Sequence, residues 1–246
     1  MSLLAALRSR LRRYPAPADA EAVRDMTTRQ WAGIARRTPT YLAAYRDWPG
    51  SDDRAQRRAE WVAALPVFRQ AETVLEIGCG AGRNLAALRR RHPDLLVYGR
   101  DINAEAIAQA RATLPEGHFT MFNLYDLATC PSLRKAGVLG IDVVLAVGVL
   151  GHLEPSAVPA VLGWMLSSAR QAVVIVDELG AGQVLKGPRA WNPRDRVSQD
   201  YVLYAHDLLS MVIKAGGLRV RASVLPPELR APAATDLIVV DTGGEP

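Results

Sequence analysis

The sequence predicts an α/β fold, in which a doubly wound, mostly parallel sheet of seven strands follows an N-terminal helical cap. Three observations lead to this prediction. From residue 73 onwards, short and almost continuously apolar segments alternate with helical patterns, as they do in parallel sheets that helices cover on both faces. The first apolar segment runs into alternating glycines, which is typical of a strand-to-helix turn that binds a ligand. No repeat or low-complexity tract interrupts the pattern.

The predicted strands are the apolar segments, and the predicted helices lie between them. The strands are Thr73–Ile77, Leu95–Gly99, Phe119–Phe122, Ile141–Val147, Ala172–Val176, Leu218–Val224 and Asp236–Asp241. The helices are Asn84–Arg91, Ala104–Ala112, Pro155–Ser168 and His206–Ala215. The stretch from 179 to 204 lacks helical periodicity, so we predict a long loop there, and long loops are often functional.

Residues 1–70 differ in character from the rest of the chain. They are rich in Ala and Arg, and prolines break them into two to four predicted helices. We therefore predict two regions, a helical extension over 1–70 and a ligand-binding domain over 71–246. The basic start of the chain resembles either an amphipathic helix or an organelle presequence, and the sequence leaves both open.

Composition limits the classes of protein to consider. The chain has 246 residues with 30 basic and 25 acidic side chains, and no apolar run approaches the ~20 residues that cross a membrane. Its arginine runs are most simply solvated helix faces, although they could also meet nucleic acid or acidic lipid. Two cysteines cannot build a disulfide framework, so we predict a cytoplasmic protein without membrane contact.

The glycine-rich segment after the first strand is the most informative motif. Glu76 closes the strand, Gly78, Gly80 and Gly82 follow at alternate positions, and a helix then starts. Glycine lets the backbone turn sharply and approach a ligand closely. A dinucleotide-binding fingerprint would need a further glycine where this chain has Arg83.

This E-x-G-x-G-x-G spacing resembles the first motif of the class I S-adenosylmethionine-dependent methyltransferases, and the resemblance covers roughly residues 70 to 240. It implies a Rossmann-like sheet, S-adenosylmethionine as cofactor and S-adenosylhomocysteine as product. It also implies the roles of further residues. Asp101 would accept hydrogen bonds from the ribose hydroxyls, and Ile102 would pack on the adenine. The cofactor-binding set that we predict is Glu76, Gly78, Cys79, Gly80, Gly82, Asn84, Asp101, Ile102, Asn123, Leu124, Val147 and Gly148.

One position departs from the family pattern. After the third strand the family usually carries an acid that reads the adenine amino group, and this chain has Asn123 there, with Asp126 three residues later. The amide carbonyl of asparagine can accept the same hydrogen bond. The fourth strand and its exit match the family's fourth motif, so Val147 and Gly148 should flank the methionine part of the cofactor.

Two residues are candidates for a direct part in the chemistry. Methyl transfer to an activated carbon depends mainly on positioning, and a base is needed only if the acceptor must lose a proton. His152, in the loop after the fourth strand, is the candidate base, and packing beneath the cofactor is the alternative. Glu178, at the end of the fifth strand, could anchor an acceptor amine or hydroxyl, or could make a structural hydrogen bond.

Acceptor identity is less defined than cofactor identity. Arginines and aromatic residues of the 179–204 stretch would suit an anionic or sugar-bearing acceptor, unless they form a solvated lid. No metal-ligand spacing occurs, so we predict no metal site. Motifs of the nucleic-acid-modifying relatives are missing, which argues against a nucleic-acid substrate. We therefore predict methyl transfer to N or O of a small molecule, such as a sugar or a biosynthetic intermediate. The alternatives are an RNA or protein methyltransferase and a cofactor-binding module without catalysis.

Overall fold

Two sheets and six α-helices form the described part of the chain in this computed structural model. The structure describes residues 20–33, 51–133, 140–180, 183–186, 203–230 and 235–243. The helices are α1 (Ala20–Gly33), α2 (Ser51–Ala63), α3 (Arg83–Arg91), α4 (Ala104–Thr113), α5 (Val158–Ser168) and α6 (Leu208–Lys214). The strands are β1 (Thr73–Ile77), β2 (Leu96–Asp101), β3 (His118–Met121), β4 (Ile141–Val147), β5 (Ala169–Asp177), β6 (Gln183–Lys186), β7 (Leu203–Ala205), β8 (Arg219–Val224) and β9 (Asp236–Asp241).

The main sheet has seven strands in the order β3-β2-β1-β4-β5-β9-β8. The first five of these are parallel, while β9 runs antiparallel to both β5 and β8. The chain reverses its direction of winding at β1, from which it moves first towards β3 and later across to β4 and β5. Loops after β1 and β4 therefore separate at a crevice, the place where open α/β sheets bind ligands. The predicted seven-stranded, mostly parallel sheet is confirmed.

Apolar side chains cover the sheet on both faces. On one face, α2, α3 and α4 bury residues such as Val62, Leu88 and Ile107. On the other, α5 and α6 bury residues such as Leu162 and Leu208. Burial on both faces explains why β4 and β5 read as continuous apolar runs rather than as alternating ones.

Local capping sets where two of the helices begin. Asn103 precedes α4, and its side-chain oxygen accepts a hydrogen bond from Ala106 N at 2.9 Å. Asp207 precedes α6, and its carboxylate accepts one from Ser210 N at 3.2 Å. Both satisfy a backbone N–H that has no partner within the helix. His206, predicted to begin α6, lies before this cap in an isolated bridge with Leu179.

Two regions differ from the sequence expectation or extend it. The ends of the predicted 179–204 loop pair as an antiparallel hairpin of β6 and β7; its intervening arginines and aromatic residues, from 187 to 202, lie outside the described residues. Helix α2 belongs to the 1–70 extension, yet its Ala59 and Val62 share a core with α3. The division of the chain at residue 70 stays a prediction.

None of the helices that the structure describes is long and apolar enough to span a bilayer.

Candidate active site

The glycine turn joins β1 to α3 through three residues in the left-handed region. Gly78, Gly80 and Gly82 have φ angles of 68°, 53° and 78°, which side chains with a Cβ rarely adopt. A Cβ on Gly78 would also lie 2.5 Å from the Cγ2 atom of Val149, in the loop after β4. The turn therefore needs glycine both for its backbone angles and for the close approach of the two loops that border the crevice.

Two carboxylates flank this turn, one at the end of β1 and one at the end of β2. Glu76 is completely buried, and its Oε1 atom accepts a hydrogen bond from Asn84 Nδ2 at 2.6 Å. Its other oxygen, Oε2, is buried without a hydrogen-bond partner in the described part of the chain. Burial raises the pKa of Glu76 to about 8, because a charged carboxylate without a nearby cation is unfavourable there.

Asp101 is tied to the glycine turn itself. Its Oδ2 atom accepts a hydrogen bond from Gly80 N at 2.8 Å, and its Oδ1 atom accepts one from Asn103 N at 2.8 Å. Burial raises the pKa of this carboxyl above its ordinary value, although hydrogen bonds from the backbone of Asn103, Gly80 and Ile102 oppose the shift. Each oxygen of a carboxylate can accept more than one hydrogen bond. Asp101 therefore fixes the turn and still has acceptor capacity towards the crevice.

The other predicted cofactor residues divide between the crevice and the core. Ile102 is partly exposed just after Asp101, whereas the side chain of Cys79 is buried. The backbone of Cys79 closes the turn, since its N–H donates to Arg100 O and its carbonyl accepts from Gly82 N, both at 3.0 Å. The side-chain oxygen of Asn123 accepts a hydrogen bond from Tyr125 N at 3.2 Å and caps a short 3-10 turn. Leu124 is buried within that turn.

Two buried polar residues fasten the loop after β4. Asp177, the last residue of β5, accepts hydrogen bonds from Leu150 N at 2.8 Å and Gly151 N at 3.4 Å. On the other side, His206 Nε2 lies 3.1 Å from the carbonyl oxygens of both Leu150 and Leu153. This turn, which carries His152, is thus held from both sides. Sequence reasoning did not identify either of its anchors.

The loop begins at the end of the sheet. Val147 is the last residue of β4, and Gly148 continues the pairing with β5, donating its N–H to Val176 O at 2.7 Å. Gly148 has a φ of 64°, so the chain turns there in the left-handed region that glycine adopts most readily. Both residues are partly exposed at the crevice.

The two candidate catalytic residues lie on neighbouring strand exits. His152 is partly buried, and its ring meets the ring of Trp31 edge-on, with 4.6 Å between the ring centres. Glu178 directly follows β5, and its backbone N–H donates to Asp177 Oδ1 at 3.0 Å. Both therefore stand at the carboxyl edge of the sheet, where the glycine turn also lies.

Helix α1 lies over this edge. Its Trp31 carbonyl accepts a hydrogen bond from Asn103 Nδ2 at 2.8 Å, and its Arg24 guanidinium lies 4.8 Å from the centre of the Tyr125 ring. The helix therefore connects to the exits of β2, β3 and β4. Three further aromatic residues of the predicted N-terminal extension, Tyr41, Tyr45 and Trp48, lie outside the described residues.

Residues that could hold a metal ion are not grouped together in the described ranges: no three His, Cys, Asp or Glu side chains have a suitable arrangement there.

Part of the chain is similar in sequence to known methyltransferases. Residues 75–173, which run from β1 to β5, match the sequence model of the family described as "Methyltransferase domain". A trans-aconitate 2-methyltransferase of Rhodopseudomonas palustris is 35% identical over 80 residues, or 32% of this chain and 31% of that protein. One of Azoarcus sp. is 36% identical over 117 residues, or 45% of this chain and 46% of that protein. The chain thus spans about a third to a half of the length of these relatives.

Solved structures extend the likeness over the whole sheet. A Burkholderia thailandensis 1,6-didemethyltoxoflavin-N1-methyltransferase, solved with its substrate and S-adenosylhomocysteine bound, superposes with a TM-score of 0.64 at 18% identity, covering 94% of each chain. An O-methyltransferase family protein from the same organism gives a TM-score of 0.58 at 20% identity, covering 78% of this chain and 57% of that one. Residues 75–173 are therefore similar to a methyltransferase domain, and the seven-stranded sheet has the same fold as these solved structures.

Proposed function

We propose that this protein is an S-adenosylmethionine-dependent methyltransferase that acts on N or O of a small-molecule acceptor. The observation that carries the proposal is a turn of three left-handed glycines, with the buried carboxyl of Glu76 on one side and the partly buried carboxyl of Asp101 on the other. The names of the curated relatives and of the structural neighbours support the same activity.

The residues present fit this cofactor. The unpartnered buried oxygen of Glu76 suits the ammonium group of the methionine part, since a cation there would offset the cost of burying the carboxylate. Asp101 has one oxygen for each ribose hydroxyl, and its bonds to Gly80 and Asn103 hold it in place. The missing Cβ of Gly80 leaves room for the ligand.

Further positions complete the predicted cofactor site. Ile102 would form an apolar wall for the adenine, and Asn123 with Leu124 would meet its polar edge. Val147 and Gly148 would flank the methionine part. Because Asn123 already caps the turn after β3, any contact with the adenine would use its amide NH₂ group or the backbone beside it.

S-adenosylmethionine, when bound, supplies an electrophilic methyl group on a sulfonium sulfur. The task of the protein is to hold an acceptor about 3 Å from that carbon and in line with the departing sulfur. Asp177 and His206 fix the turn that carries His152, which would border the methyl group and could remove a proton from a hydroxyl acceptor. Glu178 would hold a polar group of the acceptor from the next strand exit.

Calorimetry with S-adenosylhomocysteine tests the cofactor half of the proposal. Wild-type protein should bind it, and Asp101→Ala should bind it about 30- to 150-fold more weakly, corresponding to roughly 2–3 kcal/mol for two hydrogen bonds to a charged group. Asp94→Ala is the matched control, since Asp94 is exposed beyond the opposite end of β2. Equal affinity in a folded Asp101→Ala variant would remove this residue from the site.

Turnover tests the catalytic half. Incubation with labelled S-adenosylmethionine and the small-molecule fraction of a cell extract should yield S-adenosylhomocysteine together with a labelled product, which chromatography can isolate. Cofactor binding without any transfer, across small-molecule, RNA and protein fractions, would instead indicate a binding module without catalysis.

A further inference from the structure

Helix α1 lies over the crevice with little apolar burial of its own. It buries three residues, of which only Val23 is apolar. Among the described residues, Val23 packs with Tyr204 in a small cluster that is separate from the two cores of the sheet. The ion pair between Arg24 and Asp126 spans 4.0 Å and is exposed on both sides, and such pairs add little stability. Because segments with few buried apolar contacts open most readily, the docking of α1 depends strongly on its other polar contacts.

Asn103 makes a buried polar contact with α1. Only 1% of its surface is exposed, and its Nδ2 atom donates to the carbonyl oxygen of Trp31 at 2.8 Å. Trp31 lies in the last turn of α1, where carbonyl groups have no partner within the helix. The amide of Asn103 therefore satisfies the end of α1 with its N–H group, while its oxygen caps the start of α4.

The same residue is connected to the glycine turn. The backbone N–H of Asn103 donates to Asp101 Oδ1, and Asp101 Oδ2 accepts from Gly80 N, both at 2.8 Å. Three hydrogen bonds thus form an unbroken chain from Trp31 through Asn103 and Asp101 to Gly80. Since hydrogen bonds in a buried network depend on one another, a ligand bound at Asp101 and a helix docked on Asn103 act on the same chain.

The choice of asparagine at this helix cap is informative. Serine, threonine, aspartate and asparagine all cap helices well. Of these, asparagine alone combines an oxygen that accepts from the helix with a separate amide N–H group that donates. A serine hydroxyl is attached one bond closer to the backbone, and a carboxylate has no hydrogen to donate. The cap of α4 would accept any of these residues, whereas the contact with α1 needs asparagine.

We propose that Asn103 is a positioning residue that couples the docking of α1 to occupation of the cofactor site. The inference rests on the proposed function and adds control of access to the same site. A ligand that fixes Asp101 also holds Asn103, and through it α1, whereas without a ligand α1 opens more readily. Because α1 carries Trp31 against His152, its docking closes the side of the crevice on which the methyl group would lie.

Hydrogen–deuterium exchange of the whole chain, followed by mass spectrometry, tests this coupling with S-adenosylhomocysteine as the probe. In the wild type, saturating S-adenosylhomocysteine should slow the exchange of the α1 amides by about fivefold or more. Asn103→Ser keeps the cap of α4 and loses the bond to Trp31. In this variant α1 should exchange faster, and S-adenosylhomocysteine should slow it by about twofold at most, because the connection to Asp101 is broken.

Two control variants separate coupling from simple loosening of the helix. Val23→Ala removes apolar contact from α1 but leaves the chain of hydrogen bonds intact. Its α1 should exchange faster than in the wild type, yet S-adenosylhomocysteine should still slow this exchange by about fivefold. Asp207→Ser alters the cap of α6 instead, and its α1 should exchange as in the wild type. If Asn103 had a merely structural role, Asn103→Ser would behave like Val23→Ala.

Each result decides the question. If calorimetry shows that S-adenosylhomocysteine binds but it does not slow α1 exchange in the wild type, the coupling is overturned. Equal slowing in the wild type and in Asn103→Ser would overturn it as well. If Asn103→Ser does not fold, Asn103→Asp takes its place, since a carboxylate also caps a helix and cannot donate. A wild type that does not bind S-adenosylhomocysteine would overturn the proposed function together with the coupling, and α1 exchange in ligand-free Asn103→Ser would still report whether Asn103 holds the helix.

Discussion

Replacing Asp177 with asparagine should change how the stability of the protein depends on pH. The carboxylate is buried and accepts hydrogen bonds from Leu150 N, Gly151 N and Glu178 N. Burial nevertheless raises its pKa from 3.8 to about 7, because desolvation outweighs these bonds. The folded protein therefore holds a proton on Asp177 over a range in which the unfolded chain has lost it.

The sign and the size of the effect follow from this shift. Stability from the protonated Asp177 is fully present below pH 3.8 and is lost as the pH rises to about 7. In that window the free energy of unfolding falls by about 1.4 kcal/mol per pH unit, or about 4 kcal/mol in all. Glu76, whose pKa is raised to about 8, adds a slope of the same sign that continues to a higher pH.

Asparagine does not titrate, so in Asp177→Asn the free energy of unfolding should no longer show the part of the pH dependence that Asp177 causes. At pH 5 the variant should be less stable by roughly 1–2 kcal/mol, since its single oxygen cannot serve all three N–H donors. Between pH 5 and pH 7 the free energy of unfolding of the variant should rise relative to that of the wild type by about 3 kcal/mol. Above pH 7 the difference between the two proteins should stay constant.

Urea unfolding followed by circular dichroism at pH 5, 6, 7 and 8 measures this difference directly. The matched control is Asp94→Asn, an exposed carboxylate at the far edge of the sheet, whose stability curve should follow that of the wild type. Parallel curves for the wild type and Asp177→Asn across this range would refute the argument that burial governs the titration of Asp177.

Three further predictions concern the site. Gly80→Val should abolish S-adenosylhomocysteine binding in calorimetry while the fold persists, because a branched side chain at a φ of 53° would fill the ligand's place; normal affinity would mean that the crevice is misassigned. His152→Ala should lower the melting temperature by a few degrees and leave kcat at saturation near that of the wild type, because its ring packs on Trp31. A kcat loss of about 10²-fold or more would make His152 a general base. Gly78→Ala should lower the free energy of unfolding measured in urea by roughly 2 kcal/mol or more. Its control is Gly163→Ala, because a Cβ at Gly163 meets nothing within 4 Å, and this variant should be more stable than the wild type by about 0.5–1 kcal/mol. Equal effects of the two substitutions would contradict the crowding at Gly78.

The sheet was predictable from the sequence because its signals are local. A parallel strand that is buried on both faces must be apolar along its whole length, and β4 and β5 show this directly. The hairpin of β6 and β7 was missed because its strands are short and lie at the ends of a polar segment. The start of α6 was placed two residues too early, since the bridge between His206 and Leu179 is a tertiary contact that no local pattern reveals.

Adjacent acids show a second limit. At the end of β5 the sequence offers Asp177 and Glu178, and we singled out the second because an acid at a strand end often faces a ligand. The structure buries Asp177 against the loop after β4 and leaves Glu178 partly exposed. Which of two neighbouring carboxylates turns inwards depends on backbone N–H groups some 26 residues away in the chain, and the sequence carries no sign of them.

The same distinction separates the glycine turn from the anchors of the loop after β4. Gly78, Gly80 and Gly82 stand at alternate positions directly after β1, so their spacing identifies the turn, whereas the roles of Glu76 and Asp101 were inferred from the family resemblance. The anchors of the loop after β4 lie far from it in the chain: 56 residues separate His206 from Leu150, whose carbonyl oxygen lies 3.1 Å from its Nε2 atom. A histidine before a helix looks like an ordinary polar residue until the fold buries it against this loop. Because contacts of this range form only when distant elements pack together, the turn that would hold the cofactor could be predicted from the sequence, and the support of the neighbouring loop could not.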